Sequence, residues 1–252
     1  MNKNFKEAFE KTRIAGSIAA GALDEVSKIV KPGISTNEID KTCYEYINDH
    51  KAYSAPLYYR GFPKSCCTSV NHVVCHGIPS EKILRDGDIM NVDVTALKEG
   101  WHGDTSRMFK VGEVSVKAEK LIQTTYEAMM KAIKVVKDGV LLGDIGSAIQ
   151  SHVESNGFSV VQDFCGHGIG QSFHQEPNVL HYGKKGTGEK IKSGMIFTIE
   201  PMINLGRFET KTLKDGWTAV TKDKTLSAQF EHTIGVTNEG YEIFTLSSDQ
   251  IN

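Results

Sequence analysis

The sequence repeats itself once, and that repeat limits what it can fold into. Val30-Lys-Pro-Gly-Ile34, followed by Ile39, recurs as Val136-Lys-Asp-Gly-Val140, followed by Ile145, at an offset of 106 residues. Both copies sit where a long run at helical spacing stops, turns and gives way to a shorter one. Ile14, Ile18, Ala22, Val26 and Ile29, with Ala15, Ala19 and Leu23, predict a helix from about Glu7 to Val30. Leu121, Ile122, Ala128, Met129, Ala132, Ile133 and Val136 predict another over Ser115 to Lys137. Lys31-Pro-Gly33 and Lys137-Asp-Gly139 stop them. Ser35 with Glu38 forms a capping box opening a second helix that ends near His50. Its counterpart runs from about Gly143 to Ser155 and is closed by Asn156-Gly157. A period this long means a duplicated unit rather than a solenoid. The 252 residues are therefore expected to form one unit, 1–252, of two similar halves, about 1–112 and 113–252.

Each half carries an acidic hairpin. From Met90 to Ala96 the residues alternate, with Met90, Val92, Val94 and Ala96 on one face and Asn91, Asp93 and Thr95 on the other. Lys98-Glu99-Gly100 is a turn signal, and Trp101 to Phe109 is a second strand. With Lys98-Glu99 as the turn, Asp93 faces Asp104, Asn91 faces Ser106 and Thr95 faces His102. Carboxylates opposite one another on a sheet repel unless a proton or cation intervenes. The plainer reading is two unrelated aspartates on a solvated face. In the second half, Met195 to Pro201 and Ala228 to Val236 are strand-like, and Asp215-Gly216 between them is a hairpin signal. Glu200 and Glu231 lie symmetrically about that dipeptide. Two acidic hairpins in two similar halves point to one shared site on a pseudo-twofold axis.

Other segments add candidates. Ser54 to Pro63 is dense in aromatics, either as a packed connection or as one wall of an apolar pocket. Ser65 to Val74 alternates loosely as a strand that ends in Cys75-His76-Gly77-Ile78-Pro79. That places His76 at a strand end, where function often sits, although a lone histidine is more often structural. Cys165-Gly-His167-Gly-Ile-Gly-Gln-Ser-Phe-His174-Gln-Glu-Pro177 is a glycine-rich turn whose two histidines are poorly explained as core. A net charge of -2 gives no electrostatic footprint for nucleic acid, and no apolar run is long enough to span a membrane. The N-terminus lacks a signal-peptide apolar core. Five irregularly spaced cysteines argue against a disulfide framework and fit a reducing, cytoplasmic setting. Asp93, Asp104, His167, Glu200 and Glu231 together suit two divalent transition ions. Four negative charges balance two dications and leave a bridging hydroxide as nucleophile. His76 and His174 remain as donors to a substrate amide or oxyanion.

These segments carry a family resemblance over nearly the whole chain. Val74-Cys-His-Gly-Ile-Pro79, Asn91-Val-Asp-Val94, His102-Gly-Asp-Thr-Ser106, Gly166-His-Gly-Ile-Gly170, Phe197-Thr-Ile-Glu-Pro201 and Ser227-Ala-Gln-Phe-Glu-His-Thr233 resemble type I methionine aminopeptidase. Singly the motifs are modest; in this order they are highly specific. The resemblance implies the pita-bread fold, an α+β architecture of two pseudo-twofold halves with antiparallel sheet and flanking helices. It implies removal of the initiator methionine from new chains when the second residue is small. Asp93 would hold one metal, His167 and Glu200 the other, with Asp104 and Glu231 bridging. The ions would be cobalt, manganese, iron, zinc or nickel. His76 and His174 would contact substrate, and Glu231 would also shuttle a proton. Tyr59, Phe62, Cys67, Phe173 and Trp217 match the methionine pocket, and otherwise read as ordinary core. Asn71, Val73 and Ser227 match carbonyls that hold a monovalent cation in relatives. The implied partners are nascent polypeptide N-termini and the ribosome, with the enzyme a monomer. Pro56 stands where a cysteine is common, which puts the local loop geometry in question.

Two alternatives remain at this point. A proline-directed dipeptidase of the same fold usually carries a large extra N-terminal domain, for which this chain has no room. A non-catalytic binding protein of this fold loses metal ligands, and all five are present here.

Overall fold

A computed structural model describes residues 3–247. In chain order its elements are α1 (Lys3–Ile29), α2 (Thr36–Asp49), β1 (Tyr53–Ser54), β2 (Cys67–Val70), β3 (Val73–Cys75), β4 (Ile89–Lys98) and β5 (Trp101–Lys110). Then come α3 (Val116–Val135), α4 (Leu142–Ser155), β6 (Ser159–Val160), β7 (Gly166–Gly168), β8 (Gln175–Val179), β9 (Ile196–Ile199) and β10 (Met202–Asn204). The chain ends with β11 (Thr210–Thr212), β12 (Ala219–Thr221), β13 (Ser227–Gln229), β14 (Glu231–Val236) and β15 (Tyr241–Ile243). The main antiparallel sheet runs β1-β4-β5-β14-β9-β7-β8, with β2 also on β4 and β15 also on β14. This is the α+β pita-bread architecture that the motifs imply.

The duplication is visible in backbone hydrogen bonds. Gly33 N–H donates to the Leu84 carbonyl and Gly139 N–H to that of Ile191, both at 2.9 Å. Gly87 N–H donates to Val111 and, equivalently, Gly194 to Val236. Helices α2 and α4 start 106 residues apart, at Thr36 and Leu142. The expected capping box is formed, with Ser35 N–H donating to Glu38 Oε2 at 2.7 Å and Glu38 N–H to Ser35 Oγ at 3.2 Å. Each half has its own core. One gathers Leu23, Ile39 and Ile47 of α1 and α2 with Met90, Val92 and Val94 of β4. The other gathers Leu121, Ile133 and Ile149 of α3 and α4 with Phe197 and Ile234. The alternation of β4 is therefore as expected, apolar side to the helices and Asn91, Asp93 and Thr95 to the opposite face.

The register of the first hairpin differs from expectation. Lys98 pairs with Trp101, so the turn is Glu99-Gly100, with φ of 50° and 81°. Both central residues of a type I′ turn need positive φ, and glycine supplies the second of them without strain. Asp93 consequently faces Ser106, Thr95 faces Asp104, Asn91 faces Met108, and His102 faces Leu97. The slip is two residues, so every side chain keeps its face, and Asp93 and Asp104 become diagonal neighbours.

The second arm has the expected register along its whole length. His232 pairs with Ile199, Met202 with Gln229, and Thr212 with Ala219, all symmetric about Asp215-Gly216. It is not one hairpin, however, because it passes through three sheets. The ladder breaks at Pro201, which has no N–H to donate. The expected strand Ser65 to Val74 is likewise two strands, β2 and β3, parted at Asn71, whose φ is 57°.

Candidate metal centre and substrate pocket

The halves meet where β5 pairs with β14, Glu231 opposite Ser106 and His232 opposite Thr105. Asp93 and Asp104 project from β4 and β5 on the face away from the helices, and Glu231 opens β14. Glu200 follows the last residue of β9, and His167 is the middle residue of β7. β7 lies between β8 and β9, and the packing leaves no room for side chains beside the histidine. A Cβ at Gly166 would overlap the Thr198 carbonyl, and one at Gly168 the Glu176 carbonyl. The glycines flanking His167 are thus required by close backbone approach.

The structure brings all five expected ligands to one cavity of about 660 Å³. His167 Nε2 lies 3.7 Å from Asp104 Oδ2 and 3.6 Å from Glu200 Oε1. Ligand atoms of Asp104, His167 and Glu231 all fall within 4.8 Å of one another. Thr95 Oγ1 donates to Asp104 Oδ1, and Thr198 Oγ1 to Glu200 Oε1, each at 2.7 Å. Gln229 Nε2 donates to Glu200 Oε2 at 3.3 Å.

Burial dominates the electrostatics of this cluster. It pushes the Asp93 carboxyl up to about 7 and that of Glu200 up to about 8. Asp104 and Glu231 rise well above the carboxylate range, through burial first and then through the neighbouring carboxylates. Burial lowers His167 to about 4, so its imidazole is neutral and able to ligate. Among the described residues, Arg60 is the only lysine or arginine lining the cavity, and it is exposed. Four carboxylates, Asp104 and Glu231 buried and Asp93 and Glu200 half-buried, with no buried cation among the described lining residues, fit divalent metal ions together with the neutral imidazole. The Oε1 of Gln229, buried without a hydrogen-bond partner, is one further acceptor at the same place.

The apolar part of the cavity is also assembled as expected. Tyr59, Phe62, Cys67, Phe173 and Trp217 all line it, together with His76 and His174. Phe62 and Trp217 meet edge to face at 5.2 Å, and Tyr59 lies 4.9 Å from Phe173. The aromatic segment after Ser54 is therefore a pocket wall, with Pro56 lining it as well. Tyr59 Oη is 3.0 Å from His174 Nδ1, and burial lowers the His174 ring to about 3. His76 follows β3 with a φ of 56°, its ring edge-on to Phe164 and to Trp217. Asn71 and Ser227 are joined by a 2.9 Å hydrogen bond from Ser227 N–H to the Asn71 carbonyl, and Val73 pairs with Val220. None of these three lines the cavity. All five cysteines are free.

Sequence reasoning missed several contributors. Cys75, Phe164 and Met202 line the cavity, as does Asp163. The alternation of β4 gives the face of Thr95, but its bond to Asp104 follows only from the observed pairing of the two. Thr198 lies within Phe197–Pro201 and Gln229 within Ser227–Thr233, and only their distances to Glu200 mark them.

Comparison with known proteins agrees with this geometry. The model of metallopeptidase family M24 matches residues 10–238. The chain belongs to metallopeptidase family M24. It is 57% identical over 245 residues to the methionine aminopeptidase of Rickettsia prowazekii, covering 97% of this chain and 95% of that one. It is 55% identical over 245 residues to the methionine aminopeptidase of Escherichia coli strain K12, covering 96% and 93%. The crystal structure of the Rickettsia prowazekii enzyme superposes with a TM-score of 0.95, covering 96% of this chain and 98% of that one.

Proposed function

We propose that the chain removes the N-terminal initiator methionine from newly made proteins whose second residue is small, as a metal-dependent aminopeptidase. The observation that carries this reading is the meeting, in one cavity, of five candidate ligands and a wall of aromatic rings with a thiol. Asp93 would hold one divalent ion and His167 and Glu200 the other, with Asp104 and Glu231 within reach of both. Two such ions supply polarisation of the scissile carbonyl and activation of water near neutral pH. Cobalt, manganese, iron, zinc and nickel all suit this oxygen and imidazole set.

The chain's own residues do the rest. Tyr59, Phe62, Cys67, Phe173 and Trp217 enclose the methionine side chain, whose unbranched thioether suits rings and a thiol. His174 has Nδ1 against Tyr59 Oη, which leaves Nε2 for the substrate. His76, kept neutral by burial, is the second substrate donor, and the two histidines steady the scissile amide and the developing oxyanion. Glu231 carries a proton from the attacking water to the leaving nitrogen as the C–N bond breaks.

The reading extends to the whole of residues 1–252 as one catalytic unit of two halves, acting as a monomer. Its partners are nascent polypeptide N-termini, met at the ribosome. Five free thiols support a cytoplasmic setting. A monovalent cation near Asn71, Val73 and Ser227 completes the proposed ion content. The test is hydrolysis of a Met-Ala-Ser peptide by metal-stripped protein to which each divalent metal is returned. Full activity in the stripped protein would end the metalloenzyme reading. Cleavage only when proline is second would move the chain to the proline-directed class.

A further inference from the structure

We propose that His181 is a positioning residue for Glu200, and through it for the metal position that Glu200 shares with His167; this rests on the metal reading given above. Glu200 stands at a weak point of the backbone. The β9 ladder has ended at Ile199, and the next residue is Pro201, which has no N–H. The Glu200 N–H is therefore left without a strand partner. It donates instead to Nε2 of His181 at 3.2 Å.

A ring nitrogen that accepts carries no proton, so the His181 proton is on Nδ1. That Nδ1 is fully enclosed and has no hydrogen-bond partner among the described residues. His181 itself is 0% exposed. A buried donor left unpaired is unfavourable, so filling space alone does not explain an imidazole here. The bond to Glu200 does. It completes a three-point hold: Nε2 takes the backbone N–H, Thr198 Oγ1 binds Oε1 at 2.7 Å, and Gln229 Nε2 binds Oε2 at 3.3 Å. The ring is delivered by the segment just beyond β8, the strand paired with β7 and hence with His167 opposite Asn178. The two ligands that this metal position does not share with the other are thus backed by β8 and the segment that follows it.

The experiment is calorimetric metal titration of the stripped full chain, with the visible spectrum of the cobalt(II)-loaded protein as a second readout. His181→Phe keeps the ring and removes the acceptor, while His181→Gln returns an acceptor oxygen. His181→Phe should weaken one of the two metal-binding steps by about 10–100-fold and alter the cobalt spectrum, as loss of outer supports does. His181→Gln should restore most of both. If His181→Phe fails to fold, the comparison moves to His181→Gln against His181→Asn, whose shorter side chain cannot reach and should behave as the loss. Unchanged affinity and spectrum in His181→Phe would overturn the proposal. So would equal losses in the Phe and Gln variants that track lower stability of their metal-free forms, because that pattern means packing. A wild-type chain that takes up no metal would sink the metal reading and this proposal together, whereas normal uptake by both wild type and His181→Phe sinks this proposal alone.

Discussion

Raising the pH should destabilise the metal-free protein across neutrality, opposite to the behaviour of ordinary surface carboxylates. The folded chain raises Asp93 to about 7 from 3.8 and Glu200 to about 8 from 4.5. A carboxyl raised by folding contributes stability that is complete below its unfolded value and is lost as pH climbs through its folded value. The buried histidines act oppositely. His167 and His232 fall to about 4, and His174 and His181 to about 3, from 6.5. Their contribution grows between those values and 6.5 and is flat above. The two effects compete below pH 6.5, so the carboxylates are read cleanly only from there to about pH 8. Over that interval Asp93 and Glu200 together should remove about 2 kcal/mol of folding free energy. Asp104 and Glu231, raised further, should add to the loss. The assay is urea unfolding in excess chelator at pH 6.5, 7, 7.5 and 8, with a metal-saturated series alongside. Metal holds the carboxylates ionised, so the saturated series should be nearly flat. A metal-free stability that stays level or rises from pH 6.5 to 8 would refute the picture of four clustered carboxylates raised by desolvation.

Further expectations concern turnover, specificity and packing. His76→Ala and His174→Ala should each lower turnover by about 10²–10³-fold while leaving metal titrations nearly unchanged; release of metal by His174→Ala with full activity per bound metal would make it a ligand instead. Peptides beginning Met-Gly, Met-Ala or Met-Ser should be cleaved faster than those beginning Met-Leu, Met-Lys or Met-Phe, graded by side-chain size at about 1–3 kcal/mol per methylene. Equal catalytic efficiency for Met, Lys and Val at the first position would reject the pocket formed by Phe62 and Trp217. Gly103→Ala should cost about 1–3 kcal/mol in urea unfolding, because its Cβ would strike the Gly16 backbone where α1 crosses β5; an unchanged midpoint would show that the helix moves away freely.

Much of the fold was legible because it is written in side-chain periods. The apolar face of β4 had to meet α1 and α2, and that requirement alone assigned Asp93 to the opposite face. The turn falls one residue later than the sequence suggests because Lys98-Glu99-Gly100 offers two positions, and the choice depends on which residues tolerate positive φ. An error of two residues preserves faces, so the site survives it; an error of one would have turned Asp104 away from Asp93 and towards the helices. Ser65 to Val74 was harder to read. Nothing in its alternation announces that Asn71 turns back in a left-handed conformation. Thr198, Gln229 and His181 act only through distances to Glu200, and their partners lie between 2 and 29 positions away in the chain. Spacing that irregular has no period to detect.

The same geometry explains why the chain needs both halves to make one site. The direct ladder between β5 and β14 joins only two residue pairs. It is reinforced beside the carboxylates themselves. Thr105 Oγ1 donates to the Glu231 carbonyl at 2.7 Å, Asp104 N–H to Thr233 Oγ1 at 3.0 Å, and Thr233 Oγ1 to the Asp104 carbonyl at 2.7 Å. The backbones of Asp104 and Glu231 thus cross-link the halves, while their side chains repel when ionised. In the proposed metal set these are also the two residues that bridge. Cations held there would turn the seam's main repulsion into an attraction between the halves, so the groups that chelate would also close the fold around the substrate.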